Sequence, residues 1–154
     1  SFDAAGIASR FPPEKPARSA GVFLAVCGAI IMLIWLALSI IPALLAGTVA
    51  AEAQYYTTFI TGALDVAIVG PVILVTGVLV VRRRPPGYLL APGLLVFSSI
   101  IGLNLAAGGA LQLAAGAITP GQAGAFTVPF VVLTLVAALF AVRVFGRLRS
   151  GIEK

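Results

Sequence analysis

The chain has 154 residues, no histidine, one cysteine and five acidic side chains, Asp3, Glu14, Glu52, Asp65 and Glu153. Without imidazole, and with the carboxylates scattered, no ligand set for zinc, iron or haem can be assembled. The same shortage removes the usual groupings of nucleophile, base and orienting residue. The expectation is therefore a protein that is not an enzyme and that has no metal site and no cofactor. Cys27 has no second cysteine to pair with and reads as a small packing residue. Charge is the largest deficit. Only 10% of residues are charged, against about 25% in soluble domains, too few to cover a compact body in water.

What is present is apolar. Hydrophobic residues make up 60% of the chain, and its mean hydropathy is +1.13, so lipid is the solvent for most of it. The ten basic residues give a net charge of +5 and fall in three clusters. These are Arg10, Lys15 and Arg18; then Arg82, Arg83 and Arg84; then Arg143, Arg147, Arg149 and Lys154. Between them lie very long uncharged runs, which read as membrane spans with basic flanks and not as a nucleic-acid surface.

Ser19 to Ala51 carries no charge, Ala53 to Val81 carries only Asp65, and Pro85 to Val142 is uncharged over 58 residues. A span needs about 20 residues, so the first two runs hold one helix each. The third would make a rod of about 87 Å, nearly three bilayer cores, and must fold back. The segment Gly116-Ala-Ile-Thr-Pro-Gly-Gln-Ala-Gly124 marks the break. The fold class is thus all-α, an integral membrane four-helix bundle with spans at about 19–47, 57–81, 88–116 and 124–145. It divides into a cytoplasmic segment 1–18, a four-span domain 19–146 and a basic tail 147–154.

With that topology every basic residue lies on one side. The two loops opposite, Thr48 to Tyr56 and Ala117 to Ala123, contain no Lys or Arg, so the positive-inside rule places both termini in the cytoplasm. Arg18, Arg82, Arg83, Arg84, Arg143, Arg147 and Arg149 are the expected contacts to lipid headgroups. Tyr55, Tyr56 and Phe59 would form the outer aromatic belt, with Phe11, Tyr88 and Phe145 near the inner one. The first 11 residues fit either a short interfacial helix carrying Phe2, Ile7 and Phe11 or a plain tail.

Asp65 is the costly residue. An ionised carboxylate inside a span costs about 2.5 to 3.5 kcal/mol on insertion scales. Asp65 lies 16 residues from Val81, Asn104 lies 16 from Tyr88 and Trp35 lies 16 from Ser19, so all three stand about 24 Å above the basic side. This nominates a polar layer of Asp65, Asn104, Trp35 and Thr61, with the amide, the indole N–H and the hydroxyl as donors. One reading of the layer is a structural clamp, the other a protonatable or cation-binding group facing a cavity. Thr58, Thr61, Gly62, Asp65, Val69 and Thr76 fall on one arc of a uniform helix and would face inward. Span three shows two small or polar edges, Gly93, Asn104 and Gly108 on one side and Ser98, Gly102 and Gly109 on the other, as if it touched two neighbours. Gly70-Pro71 is expected to kink span two and to free the carbonyl of Ala67.

The stretch Leu64-Asp-Val-Ala-Ile-Val-Gly-Pro71, followed by Gly77-Val-Leu-Val-Val-Arg-Arg-Arg-Pro85 and Gly87-Tyr-Leu-Leu-Ala-Pro92, resembles a group of uncharacterised bacterial polytopic membrane proteins. The chain resembles their C-terminal four-span part, although Pro86 departs from the bulky residue of that pattern. The resemblance implies the four-span topology, a bacterial inner membrane and further spans upstream. It brings no substrate, cofactor or catalytic residue.

Two functions fit these residues. The first is a non-enzymatic structural or accessory subunit that packs through Gly and Ala faces against other membrane proteins, with membrane lipids as its other partners and no nucleic acid. The alternative is a small proton- or cation-coupled transporter or channel component, similar in outline to four-span drug exporters that use one membrane carboxylate. It would act as a homodimer with Asp65 as the coupling site.

Overall fold

The computed structural model describes residues 15–49 and 60–150. Among them 91% are helical and none is in a strand, so the fold class is all-α. Helix α1 (Lys15–Trp35) continues through a π-helical stretch, Leu36–Ile40, into α2 (Ile41–Ala46). Helix α3 (Ile60–Leu64) likewise continues through a π stretch, Asp65–Val69, into α4 (Gly70–Val81). Two uninterrupted helices follow, α5 (Pro85–Ala114) and α6 (Pro120–Ser150). Four stretches are long and apolar enough to cross a membrane: Ala17–Ala46, Ile60–Val81, Pro85–Ala114 and Pro120–Gly146. They are called spans one to four. Much of their surface is exposed hydrocarbon, with Leu38, Leu44, Leu45, Leu111 and Val142 each at least 70% exposed. That surface suits lipid and not water. The chain is a multi-pass membrane protein.

The helix ends follow local capping chemistry. Three spans close in Schellman motifs, where a residue in the left-handed conformation lets two N–H groups turn back onto orphan carbonyls. At the end of span one Gly47 has φ 64°, with Gly47 N–H bonded to Leu44 O and Thr48 N–H to Ala43 O. Span three repeats the pattern at Gly116, φ 69°, with Gly116 bonded to Leu113 and Ala117 to Gln112. Span two uses Arg83, φ 56°, with Arg83 N–H on Val80 O and Arg84 N–H on Leu79 O. An arginine there accepts a left-handed backbone that glycine adopts freely.

Span four begins at Pro120 and not at Gly124. Thr119 and Gln122, polar residues that read as loop, form a capping box. Thr119 N–H donates to Gln122 Oε1 at 2.9 Å, and Gln122 N–H donates to Thr119 Oγ1 at 3.3 Å. Pro120 fills the first helical position, where an N–H is not needed. Span three likewise starts at Pro85, three residues before Tyr88, because Pro85 and Pro86 sit where the first-turn donors are orphaned anyway.

The chain separates into two compact units, one running to Tyr88 and the other from Leu89. In the first, spans one and two form an antiparallel pair at glycine-mediated contact. A Cβ on Gly28 would lie 2.5 Å from Leu74 N and 2.7 Å from Gly70 O, and one on Gly21 would lie 3.0 Å from Gly77 O. Gly77 in turn faces Gly21 and the backbone of Ala25. Gly21, Gly28, Gly70 and Gly77 thus form two facing seven-residue steps that let the helix backbones touch. Leu24, Ile73 and Val80 fill the seam, each under 4% exposed. Gly87 folds against Leu79 and Val80 at the turn, and Tyr88 is buried. Tyr88 therefore packs inward and is not a lipid-facing member of an aromatic belt.

In the second unit α5 meets α6 through Gly102, where a Cβ would lie 2.5 Å from Thr134 Oγ1 and 3.2 Å from Phe130 O. Ser98, Gly102 and Gly109 are buried, and Gly102 faces span four. The opposite edge is open. Asn104 is exposed, and a Cβ on Gly93 or Gly108 would meet nothing within 4 Å. Phe2, Ile7, Phe11, Tyr55, Tyr56, Phe59 and Thr58 lie outside the described residues.

Candidate functional site

Trp35 and Asp65 are brought together in the first unit. The indole Nε1–H donates to Asp65 Oδ2 at 2.8 Å, and the contact is part-buried. Two features of the chain position it. The glycine steps below set the two helices at backbone contact, so the residues above them meet at side-chain range. The equal 16-residue spacing from the basic ends then brings indole and carboxylate to one depth.

Both partners stand at the start of a π stretch. Trp35 immediately precedes Leu36–Ile40, and Asp65 is the first residue of Asp65–Val69. Ile41 N–H closes the first stretch onto Leu36 O, and Gly70 N–H closes the second onto Asp65 O. Each closing donor is the residue before a proline, Pro42 or Pro71. A proline ring crowds the carbonyl four residues back, and widening the turn by one residue relieves that crowding. Such π turns inside α-helices frequently occur at functional sites. The expected release of the Ala67 carbonyl presumes α pairing throughout. In the structure the displacement begins earlier, since Gly70 bonds Asp65 and leaves its α-helical acceptor, Val66, out of that bond. Gly70 itself is buried, with Met32 Cγ 2.5 Å and Gly28 O 3.3 Å from where its Cβ would be. It is as much a packing residue as part of a kink.

The extra residue in the π turn also breaks the arc drawn for span two. It rotates the outer segment by roughly 100° relative to a uniform helix. Gly62 and Thr76 are buried, Asp65 and Val69 are half-buried, and Thr61 is exposed. Asn104 is exposed on α5, in the other unit. Sequence reasoning did not single out Ser39, which is 7% exposed within the π stretch of span one. A hydroxyl one turn beyond Trp35 in an otherwise aliphatic run was the available signal.

The basic residues are displayed outward: Arg18, Arg82, Arg83, Arg84 and Arg143 are all exposed. The antiparallel pairing of Gly21 with Gly77 sets the Arg18 end beside the Arg82–Arg84 turn. Arg147 and Arg149 continue α6, with side chains outside the described set. Among the described residues no three His, Cys, Asp or Glu side chains gather where a metal ion could be held. Compared with known proteins, the chain matches no family model, no curated protein and no solved structure.

Proposed function

We propose that the protein is a non-enzymatic integral membrane protein, a structural or accessory subunit that packs against other membrane proteins. We place it in a bacterial inner membrane with both termini cytoplasmic, in the polytopic family that its Leu64–Pro92 segment resembles. The observation that carries the reading is the open edge of span three. Asn104 is exposed there, ten residues before the helix end at Ala114, which is about 15 Å into the membrane. A carboxamide facing hydrocarbon gains by finding a hydrogen-bonding partner on another helix. Gly93 and Gly108, on the same edge, leave open space for one to approach. The exposed arginines supply the positive-inside anchor. Purification in gentle detergent followed by mass spectrometry tests the reading. Larger subunits are expected in fixed ratio, and Asn104→Leu is expected to lose them. A lone chain that is unchanged by Asn104→Leu would refute the proposal.

A second reading, a proton- or cation-coupled transport component, is favoured by the half-buried Asp65 held by Trp35 between two π turns. It expects Asp65→Asn to fold and to lose coupled uptake into vesicles. Equal uptake by that variant would remove it.

A further inference from the structure

We infer that the Arg82–Arg84 turn, with Arg18 beside it, binds a phospholipid that carries two phosphates on one short bridge, the cardiolipin class. This site goes beyond both readings of function and rests on neither. The backbone of the turn is the first argument. Arg83 N–H bonds Val80 O at 3.0 Å, Arg84 N–H bonds Leu79 O at 2.8 Å, and Gly87 N–H closes back on Arg84 O at 3.0 Å. The left-handed position of such a helix end favours glycine, and spans one and three place Gly47 and Gly116 there. Span two places Arg83 there instead, at φ 56°, and so bears a backbone cost that glycine avoids. Arg83 is exposed, so packing gives nothing in return, and a residue held in this way points to a use for its side chain.

Charge density is the second. Arg82, Arg83 and Arg84 are consecutive and all exposed, and the acidic residue nearest to them along the chain is Asp65, 17 residues before Arg82. Arg18 joins them from span one. A Cβ on Gly21 would lie 2.8 Å from Val80 Cγ1, so Arg18, just before Gly21, and Arg82, just after Val80, leave the same end of the antiparallel pair. A guanidinium fork suits the paired oxygens of a phosphate, and clusters of this kind between membrane helices suit doubly charged headgroups. One phosphate would leave most of the cluster unmatched. Exposed hydrocarbon decides for a lipid over a soluble diphosphate. Arg18 and Arg82 stand at the limits of their spans, which run from Ala17 and to Val81. Val22 and Val26, one and two turns on from Arg18, are 47% and 49% exposed, and Val75, two turns before Arg82, is 54% exposed. Each basic end therefore runs into an apolar strip on its own helix, which acyl chains cover.

The test uses the full chain in a neutral detergent, read by native mass spectrometry. Tetraoleoyl cardiolipin and dioleoyl phosphatidylglycerol are titrated separately and compared at equal phosphate. Cardiolipin is expected to bind as a single saturable adduct, with half-saturation at about tenfold lower phosphate than phosphatidylglycerol. Arg83→Gly keeps the turn and relieves its backbone, so it is expected to fold and to weaken cardiolipin binding by about tenfold. Equal half-saturation by the two lipids on the unaltered chain would overturn the inference, as would undiminished cardiolipin binding by Arg83→Gly. Displacement of bound cardiolipin by inorganic pyrophosphate would also overturn it, by seating a soluble diphosphate in the turn. The comparison of the two lipids needs no variant and decides the matter by itself.

Discussion

Replacing Gly28 with Ala probes the contact that sets the spacing of spans one and two. The added Cβ would lie 2.5 Å from Leu74 N, 2.7 Å from Gly70 O and 2.9 Å from Leu74 Cα. All three are backbone atoms, so no side-chain rotation relieves them. Ordinary contact begins near 3.4 Å, which requires the helices to separate by 0.9 Å at this level. Trp35 lies seven residues further on, about 10 Å along the axis. If the separation carries that far, the 2.8 Å indole bond lengthens to about 3.7 Å and is lost. Overpacking of this kind costs about 1 to 3 kcal/mol, while Gly to Ala within a helix returns about 0.5 to 1 kcal/mol. Gly93→Ala is the control, because nothing lies within 4 Å of its added Cβ and it keeps only the helix gain. The assay is unfolding with sodium dodecyl sulfate in mixed micelles, followed by helical circular dichroism, with Trp35 emission recorded before unfolding. Gly28→Ala is expected to unfold at lower detergent fraction than the parent and to shift the native Trp35 emission. Gly93→Ala is expected to do neither. Equal midpoints and equal native emission for the two variants would refute the close backbone packing.

Three further outcomes follow from the local geometry. Thr119→Ala removes the side-chain half of the capping box at span four and is expected to destabilise the protein by about 1 kcal/mol in the same unfolding assay. Arg83→Gly relieves the left-handed backbone at φ 56° and is expected to stabilise by about 0.5 to 1 kcal/mol, even with one charge removed from the turn. Gly102→Ala drives a methyl to 2.5 Å from Thr134 Oγ1. It is expected to destabilise by about 1 to 3 kcal/mol, and Thr134→Ala in the same chain should recover part of the loss, a coupling that a double-mutant cycle reads directly.

Span number was legible because charge in lipid is so restricted: 58 uncharged residues cannot cross a bilayer once and must turn. The ends were less so. Thr119 and Gln122 look like loop residues by polarity, yet a capping box works by polarity, and only their three-residue spacing after the glycine stop reveals the helix start at Pro120. The meeting of Trp35 and Asp65 was accessible as equal distances from two charged ends. The π turns were not, since the widened turn is a response to Pro42 and Pro71 that no residue type encodes uniquely. For the same reason Thr61, placed inward on a uniform helix, is exposed. The glycine steps stayed hidden among 17 glycines because which of them matter depends on the facing helix. Gly21, Gly28, Gly70 and Gly77 meet a backbone, while Gly93 and Gly108 meet nothing.

The facing glycines and the π turns divide the first two spans into parts of different stiffness. From Gly21 to Gly28 on one side and Gly70 to Gly77 on the other, backbone rests on backbone, and hard contact between two α-helices leaves little room to slide. Span one has its widened turn beyond Trp35, and span two has its own between Asp65 and Gly70; each then has a short tip, ending in the exposed Leu44 and Leu45 or beginning at the exposed Ile60. The hairpin is built like a pair of tweezers. Its grip is riveted near the arginines, its arms widen at the π turns, and there the Trp35–Asp65 bond takes over from backbone contact in holding the two helices together.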